Sequence, residues 1–260
     1  MRDPEQTPAA GRSRLSGPIQ SARPFFLALG FLSRLAPPLS ASPRELSASV
    51  LYYPLVGAVL GALLCAPLAF GLFSGQPWAQ AWLYVLGSVW LTRALHLDGL
   101  ADIIDALGSG KTGHDFRTVL KDSRVGAFGA VGLTLVLSGQ IILSAAILLS
   151  GKIAPLFFAP LYGRCLPIIF ASLTFPHPQA DLGALLSKTT KKPALFLAAA
   201  FILFWGTLCL SLASLFLCLL LTAFMLLLLA RLARREGGYS GDFFGFIIVA
   251  GETIALLAAL

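Results

Sequence analysis

Three aspartates recur in the stretch LHLDGLADIIDALGSG, residues 95–110. Asp98, Asp102 and Asp105 stand at i, i+4 and i+7. On a helix turning about 100° per residue they fall in one narrow stripe. No Lys or Arg lies between Ala94 and Gly110 to offset them. A divalent cation is the economical partner for such a stripe, and all-oxygen ligation suits Mg2+ or Mn2+. A solvated acidic face is the alternative on spacing alone. Gly99 favours the metal, because Gly lets another backbone or a ligand come close. His96 reads as a packing or interfacial residue rather than a Mg2+ ligand. Arg93 is a guanidinium inside an apolar segment, where charge faces a cavity or a partner. It is a candidate for binding a substrate phosphate or for pairing with an Asp, and Arg164 follows the same logic.

Two further stretches have the residue types of phosphate chemistry. In KDSRVGAFGAVG, 121–132, Lys121 and Arg124 can grip phosphate oxygens. Ser123 and the free amides of a helix start add donors. A cationic anchor at a membrane surface accounts for the same residues. In GGYSGDFFG, 237–245, the backbone at Gly237 and Gly238 beside Asp242 fits a metal-bound phosphate. A turn with Asp242 as a helix cap is the competing account. Glu252, three turns further on, is an acid deep in an apolar run and a functional candidate by position. GSGKT at 108–112 is not a phosphate loop: G-x-x-x-x-G-K-[ST] needs Gly at 105, which is Asp, and no strand precedes it.

The elements that carry these residues are membrane helices. Of 260 residues 57% are hydrophobic and 12% charged, and the mean hydropathy is +0.83. A soluble domain carries roughly 25% charged residues. The net charge of +7 belongs to a cytoplasmic surface rather than to nucleic-acid binding. Cys65, Cys165, Cys209 and Cys218 all fall in apolar runs without metal spacing and read as packing residues. Residues 1–22 read as a disordered tail and 23–260 as a single integral-membrane domain. Residues 24–37 are too short to span and read as an interfacial or re-entrant segment. Spans are expected at about 49–73, 78–97, 125–150, 153–174, two within 194–230 with a turn near Ser211 or Ser214, and 243–260. The fold class is therefore all-α: a polytopic helical membrane protein with about seven transmembrane helices.

That map places every polar segment on one side. Sixteen of the 19 Lys and Arg fall there; Lys152 is opposite, and Arg93 and Arg164 lie within spans. The Lys/Arg excess marks the cytoplasm. The expected location is a bacterial cytoplasmic membrane, with the site facing the cytoplasm.

Together HLDGLAD-x-x-DA, KDSR-x-G-x-x-G and GG-x-x-GD-x-x-G resemble the cobalamin synthase family, the adenosylcobinamide-GDP ribazoletransferases or cobalamin 5′-phosphate synthases. FLSRL at 31–35, YPLVG at 53–57 and Glu252 also fit. Ser240 stands where Thr is usual, and Val249 where an acidic or polar residue is often found. The resemblance implies a Mg2+-dependent reaction. The ribose 3′-hydroxyl of α-ribazole, or of its 5′-phosphate, attacks the cobinamide-linked phosphorus of adenosylcobinamide-GDP, and GMP leaves. On this reading Asp98, Asp102, Asp105 and Asp242 hold Mg2+. Lys121 and Arg124 hold non-bridging oxygens, Arg93, Ser123, Gly237 and Gly238 contact substrate, and Asp122 or an Asp of the stripe is the base. The partners are the two substrates and the bilayer, with homo-oligomerisation left open. A CDP-alcohol phosphatidyltransferase fits less well, because Asp102 replaces the Arg of that pattern. A transporter would want its charges near the bilayer midplane.

Overall fold

The computed structural model describes residues 18–37, 39–179 and 192–260. Residues 1–17 of the expected tail and most of the loop at 175–192, including 180–191, lie outside the described residues. The helices are α1 (Pro18–Leu32), α2 (Pro43–Ser49), α3 (Tyr53–Ala69), α4 (Pro77–Leu91), α5 (Leu95–Gly108), α6 (His114–Leu120), α7 (Ala127–Leu149) and α8 (Ala154–Leu173). They continue with α9 (Lys192–Cys209), α10 (Leu212–Arg235) and α11 (Gly241–Ala258). The architecture is thus all-α. The helix α1 begins inside the segment expected as tail, and Ala22–Leu32 is its short apolar part.

Six helical segments among the described residues are long and apolar enough to cross a bilayer: Pro43–Ala69, Ala127–Leu149, Ala154–Leu173, Lys192–Cys209, Leu212–Arg235 and Gly241–Ala258. The 37-residue apolar run divides at Ser211, whose side chain accepts from the Ser214 amide at 3.1 Å and so caps α10. The expected second span is different in form. Its helix α4 has 15 residues and stops at Leu91, about 22 Å of rise. Arg93 and Ala94 then take φ of +58° and +56°, and the chain restarts as α5 in a new direction. Neither α4 nor α5 is among the six long apolar segments, so two shorter helices stand where one straight span was expected.

The centre of the bundle is α8, whose Phe158, Tyr162 and Cys165 are fully buried. It packs against α3, α9 and α11. Aromatic and leucine side chains cover the outer faces of α4, α9 and α10, among them Trp78, Trp82, Phe196, Phe204, Phe216 and Phe224, all exposed. An apolar exterior of that extent is what a bilayer covers.

Contacts place the polar segments at one end. The His177 amide donates to the Tyr239 carbonyl at 2.9 Å, joining the exit of α8 to the entrance of α11. The Gly113 amide donates to Glu236 Oε2, and Lys121 Nζ lies 3.5 Å from Gln179 Oε1. The turn at 70–76 is a full helix length away, at the other end of α3. Single cysteines at Ser109 and Ser123 should therefore react with an impermeant maleimide from one face of the membrane, and a cysteine at Ser74 from the other. Labelling of all three from one face would break this arrangement.

Candidate functional site

The three chemistry-bearing stretches are far apart in sequence and meet at this end. Helix α5 packs against both α7 and α11. Its contact with α11 is backbone on backbone: a Cβ on Gly99 would sit 2.7 Å from the Asp242 carbonyl oxygen and 2.9 Å from its Cα. Gly245 on α11 faces the His96 carbonyl just as closely, at 2.9 Å. Only glycine permits this approach, so Gly99 sets Asp242 beside Asp98.

The contact with α7 runs through Asp105. One carboxylate oxygen accepts from the Gly126 amide at 2.7 Å and the other from the Gly129 amide at 2.8 Å. These are unsatisfied donors of the start of α7, and an anion there is favoured by the helix dipole as well. Asp105 thus fastens the 121–126 loop to the stripe. Its carboxylate has a structural task that the spacing alone did not reveal.

Asp98 is exposed and Asp102 half-buried, and among the described residues no Lys or Arg pairs with either. Burial, and then the neighbouring charges of Asp98, Asp242 and Asp105, push the Asp102 carboxyl up to about 7. The four acids therefore share one electrostatic field. Asp242 Oδ2 accepts from Ser240 Oγ at 2.8 Å. Ser240, not Asp242, occupies the N-cap position of α11. Among the described residues no three His, Cys, Asp or Glu side chains surround one point as a closed metal shell. The donor chemistry of Asp98, Asp102 and Asp242 still fits Mg2+: oxygen donors only, on one patch, with Arg117 within electrostatic reach of Asp242 but not bonded to it. Seating it requires these side chains to draw together.

Asp122 and Arg124 form a bidentate pair, with Nε–Oδ1 at 3.0 Å and Nη2–Oδ2 at 2.8 Å. Hydrogen bonds from Arg124 hold the Asp122 carboxyl down at about 2. Lys121, Ser123 and Arg124 are exposed in the same loop.

Arg93 is placed elsewhere. Its Nη2 donates to the Gly30 carbonyl at 2.6 Å and to Phe31 at 3.2 Å, so it ties the end of α1 to the break before α5. Gly238 (φ +121°) is pressed against the chain itself: a Cβ there would lie 2.4 Å from the His177 nitrogen. Gly237 (φ +79°) is exposed beside it.

Two residues escaped the sequence reading. Arg117 donates to the Glu236 carbonyl and, at 2.8 Å, to that of Gly238. Glu236 is 3% exposed and receives both the Gly113 amide and Arg235 Nε. Together they clamp α6 onto the Gly-rich loop. The one signal was an acid set between Arg235 and two glycines. Glu252 and Arg164, both buried, pair with each other in the interior.

Comparison with known proteins shows the family. The cobalamin-5-phosphate synthase profile matches residues 24–260. An adenosylcobinamide-GDP ribazoletransferase of Nitratidesulfovibrio vulgaris (strain DP4) is 43% identical over 237 residues, covering 90% of this chain and 95% of that protein. The protein of that name from Desulfitobacterium hafniense (strain Y51) is 34% identical, covering 93% and 98%. The one from Brevibacillus brevis is 30% identical, covering 90% and 96%. No solved structure matches the chain. The profile takes in all three stretches that converge around Asp98 and Asp242, and the chain belongs to the cobalamin-5-phosphate synthase family.

Proposed function

We propose that the protein is a membrane phosphotransferase that joins adenosylcobinamide-GDP to α-ribazole or its 5′-phosphate and releases GMP. The observation that carries this reading is the meeting of residues 95–108, 121–129 and 237–245 at one end of the bundle, through the Asp105 hydrogen bonds and the Gly99–Asp242 contact. Phosphoryl transfer to an alcohol needs charge neutralisation and alignment more than covalent help.

In the reaction the ribose 3′-oxygen bonds to the cobinamide-bearing phosphorus. The bond from that phosphorus to the bridging oxygen breaks, and GMP departs with the bridge. Asp98, Asp102 and Asp242 would hold Mg2+, which supplies positive charge to the pyrophosphate and the leaving phosphate. Lys121 and Arg124, exposed in the loop that precedes α7, would take non-bridging oxygens. Asp122 orients the Arg124 guanidinium, and a carboxyl held near 2 accepts a proton poorly at neutral pH. Asp98 or Asp102, rather than Asp105 with both its oxygens occupied, would take the 3′-hydroxyl proton. The excess of Lys and Arg at this end supports a cytoplasmic orientation in the bacterial inner membrane.

Purified protein in detergent should release GMP from adenosylcobinamide-GDP only when Mg2+ and α-ribazole, or its 5′-phosphate, are both present. No release with either acceptor would sink the reading. Asp242→Asn should raise the Mg2+ concentration at half-maximal rate about tenfold or more, because a charged ligand oxygen becomes neutral. An unchanged midpoint would remove Asp242 from the ligand set.

A further inference from the structure

Directly beside Asp98 and Asp242 lies a cavity of about 180 Å³. Its walls come from five helices: α1, α3, α5, α8 and α11. Phe31 and Tyr53 stack at 6.4 Å with their rings 15° apart along one side, and Phe244 and Ile248 line another. Tyr53, Phe244 and Ile248 are 5%, 6% and 2% exposed, so these walls are fixed by packing. Apart from the two carboxylates, the polar residues lining it are Tyr53 and His96, and His96 also borders a smaller cavity that holds Arg164 and Glu252.

We infer that this cavity seats the benzimidazole base of the ribazole acceptor, with the ribose directed at Asp98 and Asp242. The inference rests on the transferase reading and adds where, and by which chemistry, the acceptor is chosen. Size argues for it. Pockets for drug-sized ligands run roughly 300–1,000 Å³, whereas an apolar cavity of about 150 Å³ holds one benzene ring. The space therefore suits one or two fused rings and excludes a corrin macrocycle. Polarity decides between the two bases in the reaction. Guanine would bury a carbonyl, an amide N–H and an amino group against largely apolar walls, and each unmet polar group is costly. A dimethylbenzimidazole presents methyl groups, an aromatic face and a single unsubstituted nitrogen. It gains from the apolar walls and leaves one polar atom to satisfy. Aromatic rings also gain from offset or edge contact with Phe31 and Phe244.

The experiment pairs equilibrium dialysis with steady-state kinetics on the intact protein in detergent. Without donor, wild-type protein should bind α-ribazole and free 5,6-dimethylbenzimidazole, and a tenfold excess of guanosine should not displace them. Ile248→Phe, which narrows the cavity, should weaken both about tenfold. In turnover it should raise the KM for α-ribazole to the same degree and leave the KM for adenosylcobinamide-GDP within about twofold. On the wild-type protein, replacing the dimethylbenzimidazole of the acceptor by adenine should raise its KM about tenfold, which tests the cavity without altering the fold. Guanosine displacement, or an Ile248→Phe effect confined to the donor KM, overturns the inference while GMP release leaves the transferase reading intact. Absence of GMP release fails that reading separately, and absence of α-ribazole binding to wild-type protein then overturns the inference too.

Discussion

Asp98→Asn and Asp102→Asn should each lower turnover by at least about a hundredfold, on the scale of losing one preorganised charge contact in a catalytic site. Both side chains lack basic partners among the described residues, and Asn preserves their shape. Thermal unfolding in detergent should therefore shift little. Asp105→Asn should behave in the opposite way. Its carboxylate receives the Gly126 and Gly129 amides, and an Asn offers one oxygen where two accept. Leaving a buried donor unmet costs about 1–3 kcal/mol, so the midpoint of unfolding should fall clearly, with turnover declining as the loop loosens. Rates and melting curves on the three variants separate the two kinds of aspartate. Near-normal turnover of Asp98→Asn at saturating Mg2+ would show that the stripe is only a hydrated acidic face.

The second large effect is expected in the interior. Arg164 and Glu252 are 1% and 8% exposed and form an ion pair between α8 and α11. Arg164 Nη1 also donates to the Pro160 carbonyl at 3.3 Å. Glu252→Leu strands a buried guanidinium, and breaking such a pair from one side costs about 3–5 kcal/mol. Membrane-inserted yield and unfolding midpoint should both drop sharply. The double change Arg164→Met with Glu252→Leu should recover most of the loss, since well-packed apolar residues often replace a buried pair without penalty. If the double variant regains stability but not GMP release, the pair serves the reaction as well as the fold. If the single variant is as stable as wild type, the pair is not what holds α8 to α11.

The helices were legible because apolar length writes a membrane span directly, and the Ser211 cap follows from a polar break in a 37-residue apolar run. The grouping of the acidic stripe with Asp242 was legible too, since counting spans puts their loops on one side and Gly99 marks a close approach. The division of labour within the stripe was not. Nothing local tells Asp105 from Asp102: the difference lies in two amides that arrive from 21 and 24 residues away. The Arg117–Glu236 clamp joins residues more than a hundred positions apart, each of which looks locally like an ordinary surface charge. Glu252 invited a catalytic role by its depth, and a partner from another helix supplies a different reason for it to be there. The aromatic cavity is assembled from five helices, so no single stretch carries its pattern.

The break at Arg93 and Ala94 contains neither glycine nor proline. Two successive non-glycine residues in the left-handed region carry roughly 1–2 kcal/mol of strain each. Contacts with the end of α1 hold them: Arg93 bonds to Gly30 and Phe31, the Arg34 amide to the Leu91 carbonyl at 2.8 Å, and Arg34 Nε to the Trp90 carbonyl at 2.7 Å. The break is held by α1, while the aspartates beyond it are seated by α7 and α11, so the acidic patch is joined to the first helix of the bundle through one strained turn.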